Sequence, residues 1–193
     1  CIEDHNRYFA PRDATLDDRK LPAVPEGSPF YLTTEIADRA VGFLREHATN
    51  APTQPFLLYL AFTAPHFPLH APPDDVARYA STFQDGWDAI RGRRWQRQHS
   101  LGLLTTTPAP ADPITVPPWN LGEGELVERL GPGEVGRAVR WDDLPPAQQR
   151  FQAVKMAIHA AMIDRLDREL GRVLDQLRAM GVYSNTVVTF ASD

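Results

Sequence analysis

The sequence predicts an α/β fold with a largely parallel central sheet flanked by helices, and three observations carry that expectation. Residues 56–62, from Phe56 to Phe62, form a continuous apolar run of strand length. Residues 186–191, from Thr186 to Ala191, form a second run rich in β-branched residues. Each is preceded by a stretch of helical periodicity, so the order reads helix, strand, long connection, helix, strand, the alternation of α/β domains.

Taken in order, the first thirty residues are loop-like, rich in Asp, Arg and Pro, with short apolar groups at Tyr8-Phe9-Ala10 and Phe30-Tyr31-Leu32. They are expected to lie over a surface. From Thr34 onward Ile36, Ala40, Val41, Phe43, Leu44 and His47 fall at helical spacing, with Thr33 or Thr34 to cap the start and Asn50 and Pro52 to stop it. The first strand follows, buried on both faces by its composition. Beyond it, Pro65, Pro68, Pro72 and Pro73 deny residues 63–73 regular hydrogen bonding and predict an ordered, extended loop. Asp74 and Asp75 open a short helix reaching Tyr79. Residues 105–145, rich in Pro, Gly and Thr, read as a long loop or insertion in which Trp119 and Trp141 are isolated anchors.

From Pro146 to Met180 the residues Phe151, Val154, Ile158, Ala161, Leu166, Leu170, Val173, Leu174 and Leu177 trace an apolar stripe, and Gly181 is placed to cap a helix there. The second strand ends at Ser192 and Asp193. In open α/β sheets ligands bind outside the carboxyl ends of the strands, so His66 after the first strand and Asp193 after the second are expected to meet at one site.

The chain has 193 residues, 42% hydrophobic and 23% charged, the balance of a globular protein with a core. A net charge of -5 argues against a nucleic-acid partner. Arg91, Arg93, Arg94 and Arg97 around Trp95 read as a solvated helix face in preference to an anion-binding patch. No stretch approaches the roughly eighteen apolar residues of a membrane span. The single cysteine, Cys1, allows neither an internal disulfide nor a cysteine-rich zinc site.

The run Pro55 to Pro72, with Ala64-Pro65-His66-Phe67-Pro68-Leu69 at its centre, resembles the A-P-H-x-P segment of arylsulfatase-like enzymes in the alkaline phosphatase superfamily. Phe30-Tyr31-Leu32-Thr33, the stretch Tyr79 to Arg94 with Asp85-Gly86-Trp87-Asp88, the helix Lys155 to Asp167, and Asn185 to Asp193 resemble further segments of that family in the same order. The last is similar to its N-T-x-x-x-x-x-S-D-N-G strand and metal loop. The resemblance implies an alkaline-phosphatase-like sandwich, of which residues 1–193 would be the middle portion of a single catalytic domain. It implies that His66 contacts the sulfate ester and protonates the leaving oxygen, and that Asp193 is a ligand of a divalent cation, usually calcium. These residue types suit that chemistry, since imidazole exchanges protons near neutral pH and calcium prefers carboxylate oxygen.

The family's nucleophile is a formylglycine made from the Cys or Ser of C-x-P-x-R or S-x-P-x-R. Cys1 is followed by Ile2, Glu3, Asp4 and His5, so it is not that residue. The expected function is hydrolysis of a small-molecule or carbohydrate sulfate ester, with the nucleophile segment and the C-terminal part outside this stretch and the stretch alone inactive. A phosphodiesterase or phosphonate hydrolase of the same superfamily, or a noncatalytic carbohydrate-binding relative, is the alternative. His70 is read as either structural or in contact with the edge of the substrate. His159 is expected to pack or be solvated, and Asp164 and Asp167 to form surface ion pairs with Arg165 and Arg168. The four tryptophans are read as packing anchors.

Overall fold

The computed structural model describes residues 6–110, 121–136 and 139–191. They fall into two compact units, one of the described residues up to Asp75 and from Ala161 onward, the other of Val76–Ala160.

In the first unit the N-terminal stretch contains a small antiparallel hairpin, β1 (Thr15–Leu16) and β2 (Arg19–Lys20), with Thr15 opposite Lys20. Asp17 takes a positive φ of 52° in the connection, which Asp tolerates better than most side chains. Helix α1 (Leu32–Asn50) buries Leu32, Thr33, Ala37, Ala40, Val41 and Leu44. Phe43, expected on that face, is instead 47% exposed. Neither threonine caps the helix. Both lie inside it, with Tyr31 at the cap position, and the amide of Leu32 donates to the carbonyl of Tyr8 at 2.8 Å. An incoming backbone segment thus satisfies the first amide of the helix.

The chain continues through the loop 63–73 into α2 (Pro73–Ala77), which ends two residues before Tyr79. The longest helix, α5 (Pro146–Ala179), contributes to both units; its later part packs Val173 and Leu177 against Ala37, Ala40, Val41 and Leu44 of α1. Gly181, at φ +71°, donates its amide to Arg178, and Val182 donates to Leu177 at 3.1 Å. This is a Schellman cap, which satisfies the last carbonyls and needs the left-handed backbone that glycine adopts without penalty.

The expected parallel strands are not paired among the described residues, where β1 and β2 form the only ladder. Residues 56–62 nevertheless keep a strand's period of two. Phe56, Leu58 and Leu60 pack on the α1–α5 core, while Leu57 is 96% and Tyr59 86% exposed. One face is covered where two were expected. In the second apolar run Val187 is 93% and Phe190 72% exposed. A parallel strand is stable only between neighbours that take its hydrogen bonds, and neither run has one here.

The second unit holds α3 (Gly86–Ser100), α4 (Glu123–Leu130) and the early part of α5. Trp141, in a short 3-10 turn, packs with Leu144 and Ala153, and stands edge-on to Trp87 at 5.0 Å. Gly86, at φ +84°, lies so close that a Cβ there would meet the Trp141 ring at 2.2 Å. Gln152 and Lys155 of α5 hold the buried Glu134, with Lys155 Nζ at 2.6 and 2.8 Å from its two oxygens. Val154, expected in the stripe, is 52% exposed, because Gln152, Ala153 and Ala157 form the buried face at this end. Trp95 donates to the carbonyl of Thr106, Arg91 is half-buried and donates to that of Ala109, and Arg93, paired with Asp85 at 2.8 Å, is exposed with Arg94 and Arg97, so three of the four arginines lie on a solvated face. Trp119 lies outside the described residues.

Candidate active site

The loop 63–73 carries the histidine that the sequence singles out, and three anchors fix it. The first is a turn: the amide of His66 donates to the carbonyl of Thr63 at 2.8 Å, and the Ala64–Pro65 bond between them is cis, as is Phe67–Pro68. The second is Tyr8, only 1% exposed, whose hydroxyl donates to the carbonyls of both Thr63 and His66 at 3.0 Å. The third is Tyr31, which donates to the carbonyl of His70 at 2.9 Å. Their rings stack at 6.1 Å, with His70 edge-on to Tyr8 at 5.7 Å and Phe9 against Tyr31 at 5.3 Å.

This packing sets the electrostatics. Burial raises the Tyr8 phenol above its ordinary range and pushes Tyr31 up to about 12, so both remain protonated donors through neutral pH. Burial also lowers the pKa of His70, favouring the neutral ring, and its Nδ1 has no hydrogen-bond partner among the described residues. His66 differs. It is exposed, and its Nδ1 lies 2.6 Å from the carbonyl of Phe67. A carbonyl can only accept, so Nδ1 carries the hydrogen and Nε2 is the nitrogen left for chemistry.

The far end of the loop is tied down by charge. Asp75 is 4% exposed and accepts from Arg165 Nε at 2.8 Å and from Arg168. Burial alone would raise this carboxyl, but the hydrogen bonds and charges of the two arginines outweigh it and hold it below the usual carboxylate range. The chain of pairs continues through Glu169, which accepts from Thr34 at 2.8 Å and from Arg172 at 2.5 Å, to Asp38. The sequence reading set Arg165 and Arg168 beside Asp164 and Asp167 and did not foresee their pairing with Asp75. Arg168 does reach Asp164, at 3.3 Å, but both arginines serve the buried Asp75.

Asp193 lies outside the described residues, so the expected meeting with His66 concerns a position whose structure is not described. Among the described residues no three of His, Cys, Asp or Glu stand together as a metal would require. His159 is half-buried on α5. The second unit has a cleft of about 200 Å³ lined by Phe83, Trp87, Arg91, Arg94 and Trp141 among others, with no histidine or carboxylate in its walls. No helix of the described residues is long and apolar enough to cross a membrane.

Sequence reasoning missed Tyr8, Tyr31 and Asp75 as anchors. Arg165, Arg168, Glu169 and Arg172 recur at steps of three and four on one helix face, a charged stripe that could have signalled a buried partner.

Comparison with known proteins gives the family. The sulfatase family profile matches residues 4–193, and the chain belongs to that family. It is 33% identical over 166 residues to an uncharacterised sulfatase of Schizosaccharomyces pombe, covering 85% of this chain and 26% of that protein. It is 29% identical over 140 residues to an arylsulfatase of Klebsiella aerogenes, covering 72% and 25% respectively. To arylsulfatase K of Bos taurus it is 29% identical over 157 residues, covering 81% and 25%. The chain thus spans about a quarter of the length of these relatives.

Proposed function

We propose that the protein containing this chain hydrolyses a sulfate monoester to an alcohol and sulfate, with His66 as the acid that protonates the leaving oxygen. The observation that supports this best is the contact of His66 Nδ1 with the Phe67 carbonyl at 2.6 Å. With Nδ1 committed to the Phe67 carbonyl, Nε2 of the exposed ring is free to hold a proton and deliver it. Tyr8 and Tyr31 keep the backbone of the loop in place, so the imidazole starts from a fixed point.

In this reading residues 1–193 are the middle portion of one catalytic domain of the alkaline-phosphatase-like sandwich type, with 105–145 as an insertion that is not all loop, since it carries α4 and the Trp141 turn. The runs 56–62 and 186–191 are then parallel strands of one sheet, and the open face bearing Leu57 and Tyr59 is where a further layer would pack. Asp193 supplies a carboxylate to a divalent cation, calcium by its preference for oxygen. The described residues offer that cation no ligand set. A formylglycine outside this chain would supply the nucleophile.

The test is His66→Ala in the full-length protein, assayed on aryl and alkyl sulfates. Turnover should fall by about two to four orders of magnitude, the range for losing a positioned acid. Esters with good leaving groups, such as nitrophenyl sulfate, should lose least. An equal loss for good and poor leaving groups would mean that His66 binds sulfate and does not donate the proton.

A further inference from the structure

We propose that Tyr8 is a positioning residue for His66, its hydroxyl clamping the turn from which the imidazole projects. The inference rests on the reading of His66 as the acid of the site. Thr63 and His66 are the first and last residues of that turn, and one phenol hydrogen lies within reach of both their carbonyls, at 3.0 Å each. The carbonyl of His66 is one bond from its own Cα. The clamp therefore acts on the backbone of the acid itself.

Tyr8 cannot easily shift to follow a displaced loop. It is 1% exposed, packed against the rings of Tyr31 and His70, and its own carbonyl is held by the amide of Leu32 at 2.8 Å, the first residue of α1. The N-terminal stretch is thereby an arm that references the histidine to the α1 helix. Tyr31 fixes the same loop four residues further along, at His70, and so bounds the far side of the turn. With the phenol removed, the Thr63 carbonyl still holds the His66 amide, whereas the His66 carbonyl loses the donor that sets its direction.

The consequence is catalytic because an acid misplaced by about 1 Å loses roughly a hundredfold in rate. Tyr8→Phe keeps the ring and its packing and deletes only the donor. In the full-length protein, it should lower kcat on an alkyl sulfate by about 10- to 100-fold with KM changed by less than about threefold, and lower kcat on nitrophenyl sulfate much less. In the His66→Ala background Tyr8→Phe should cost nothing further, since a residue that acts through another has no effect once that partner is gone.

A loss from Tyr8→Phe that persists undiminished in the His66→Ala background would overturn the inference. So would a Tyr8→Phe protein that melts below the assay temperature, because the hydroxyl would then be holding up the fold and not the imidazole. Failure of the underlying reading looks different: His66→Ala would lose good and poor leaving groups equally, while Tyr8→Phe and His66→Ala still failed to add.

Discussion

Replacing Asp75 with Asn should cost the protein about 2 kcal/mol at neutral pH, most of it from the pair with Arg165. The carboxylate is 5% exposed and Arg165 24%, so this hydrogen bond is made largely out of water. Such a charge-assisted bond is worth about 1.5–3 kcal/mol. Arg168 is 41% exposed, and its pair belongs with surface ion pairs at about 0.2–1 kcal/mol. Asn keeps one acceptor for Arg165 and recovers about 1 kcal/mol of the total. Arg165 also retains Glu169, at 3.4 Å, so it is not abandoned without a partner.

The pH dependence separates charge from shape. Because the folded carboxyl sits below the ordinary value of about 3.9, its contribution is fully present above that pH and is lost as the pH falls through the lower folded value. Urea melts of wild type and Asp75→Asn between pH 7 and pH 3 should show a gap that narrows only below about pH 4. A gap that stayed constant down to pH 3 would refute the argument, since it would show that volume or hydrogen-bond geometry, and not the negative charge, makes the difference.

Further expectations concern other parts of the molecule. Gly86→Ala should destabilise by about 3 kcal/mol or more by thermal melt, since its φ is +84° and the new Cβ would meet the Trp141 ring at 2.2 Å. Lys155→Met should cost about 3–5 kcal/mol in a urea melt by stranding the buried Glu134, and Glu134→Gln in the same protein should recover part of that loss. Gly181→Ala should cost about 1 kcal/mol by straining the left-handed cap of α5, which a melt of the variant would read. The 193-residue chain expressed alone should hydrolyse no aryl sulfate and show no strong calcium binding by calorimetry, because it carries no C-x-P-x-R or S-x-P-x-R segment and Asp193 offers one carboxylate where calcium takes roughly six to eight oxygens. Turnover by the chain alone that vanished in His66→Ala would refute that expectation.

Local signals were legible. The periodicity of α1 and α5 and the cap at Gly181 depend on residues within a few turns of one another, and all three follow from the sequence. What spans distance was not legible. Tyr8 meets its two carbonyl partners 55 and 58 positions away, and Arg165 meets Asp75 across 90. Asp75 read as one of two interchangeable acids at a helix start, yet one is buried and paired while Asp74 is exposed. The β1–β2 hairpin, with two residues in each strand, is too short for alternation to announce it. Phe43 and Val154 were assigned inward because they are apolar, whereas the buried faces run through Ala40, Leu44, Ala153 and Ala157 beside them. The reading of 56–62 and 186–191 as central strands was argued from composition, which records a preference for being covered but does not itself provide the neighbour.

The aromatic clamp on the His66 loop also gives the site its own optical reporter. A tyrosine in water ionises near pH 10, with a shift of its ultraviolet absorbance, whereas Tyr31 is pushed up to about 12 by burial and Tyr8 is raised in the same direction. Between those two values the unfolded chain gains by ionising and the folded chain does not, so alkali withdraws stability from this corner. Tyr8 and Tyr31 would therefore titrate late while the loop is closed, and earlier once it opens. The closure of the histidine turn can in this way be followed by absorbance in the absence of any substrate.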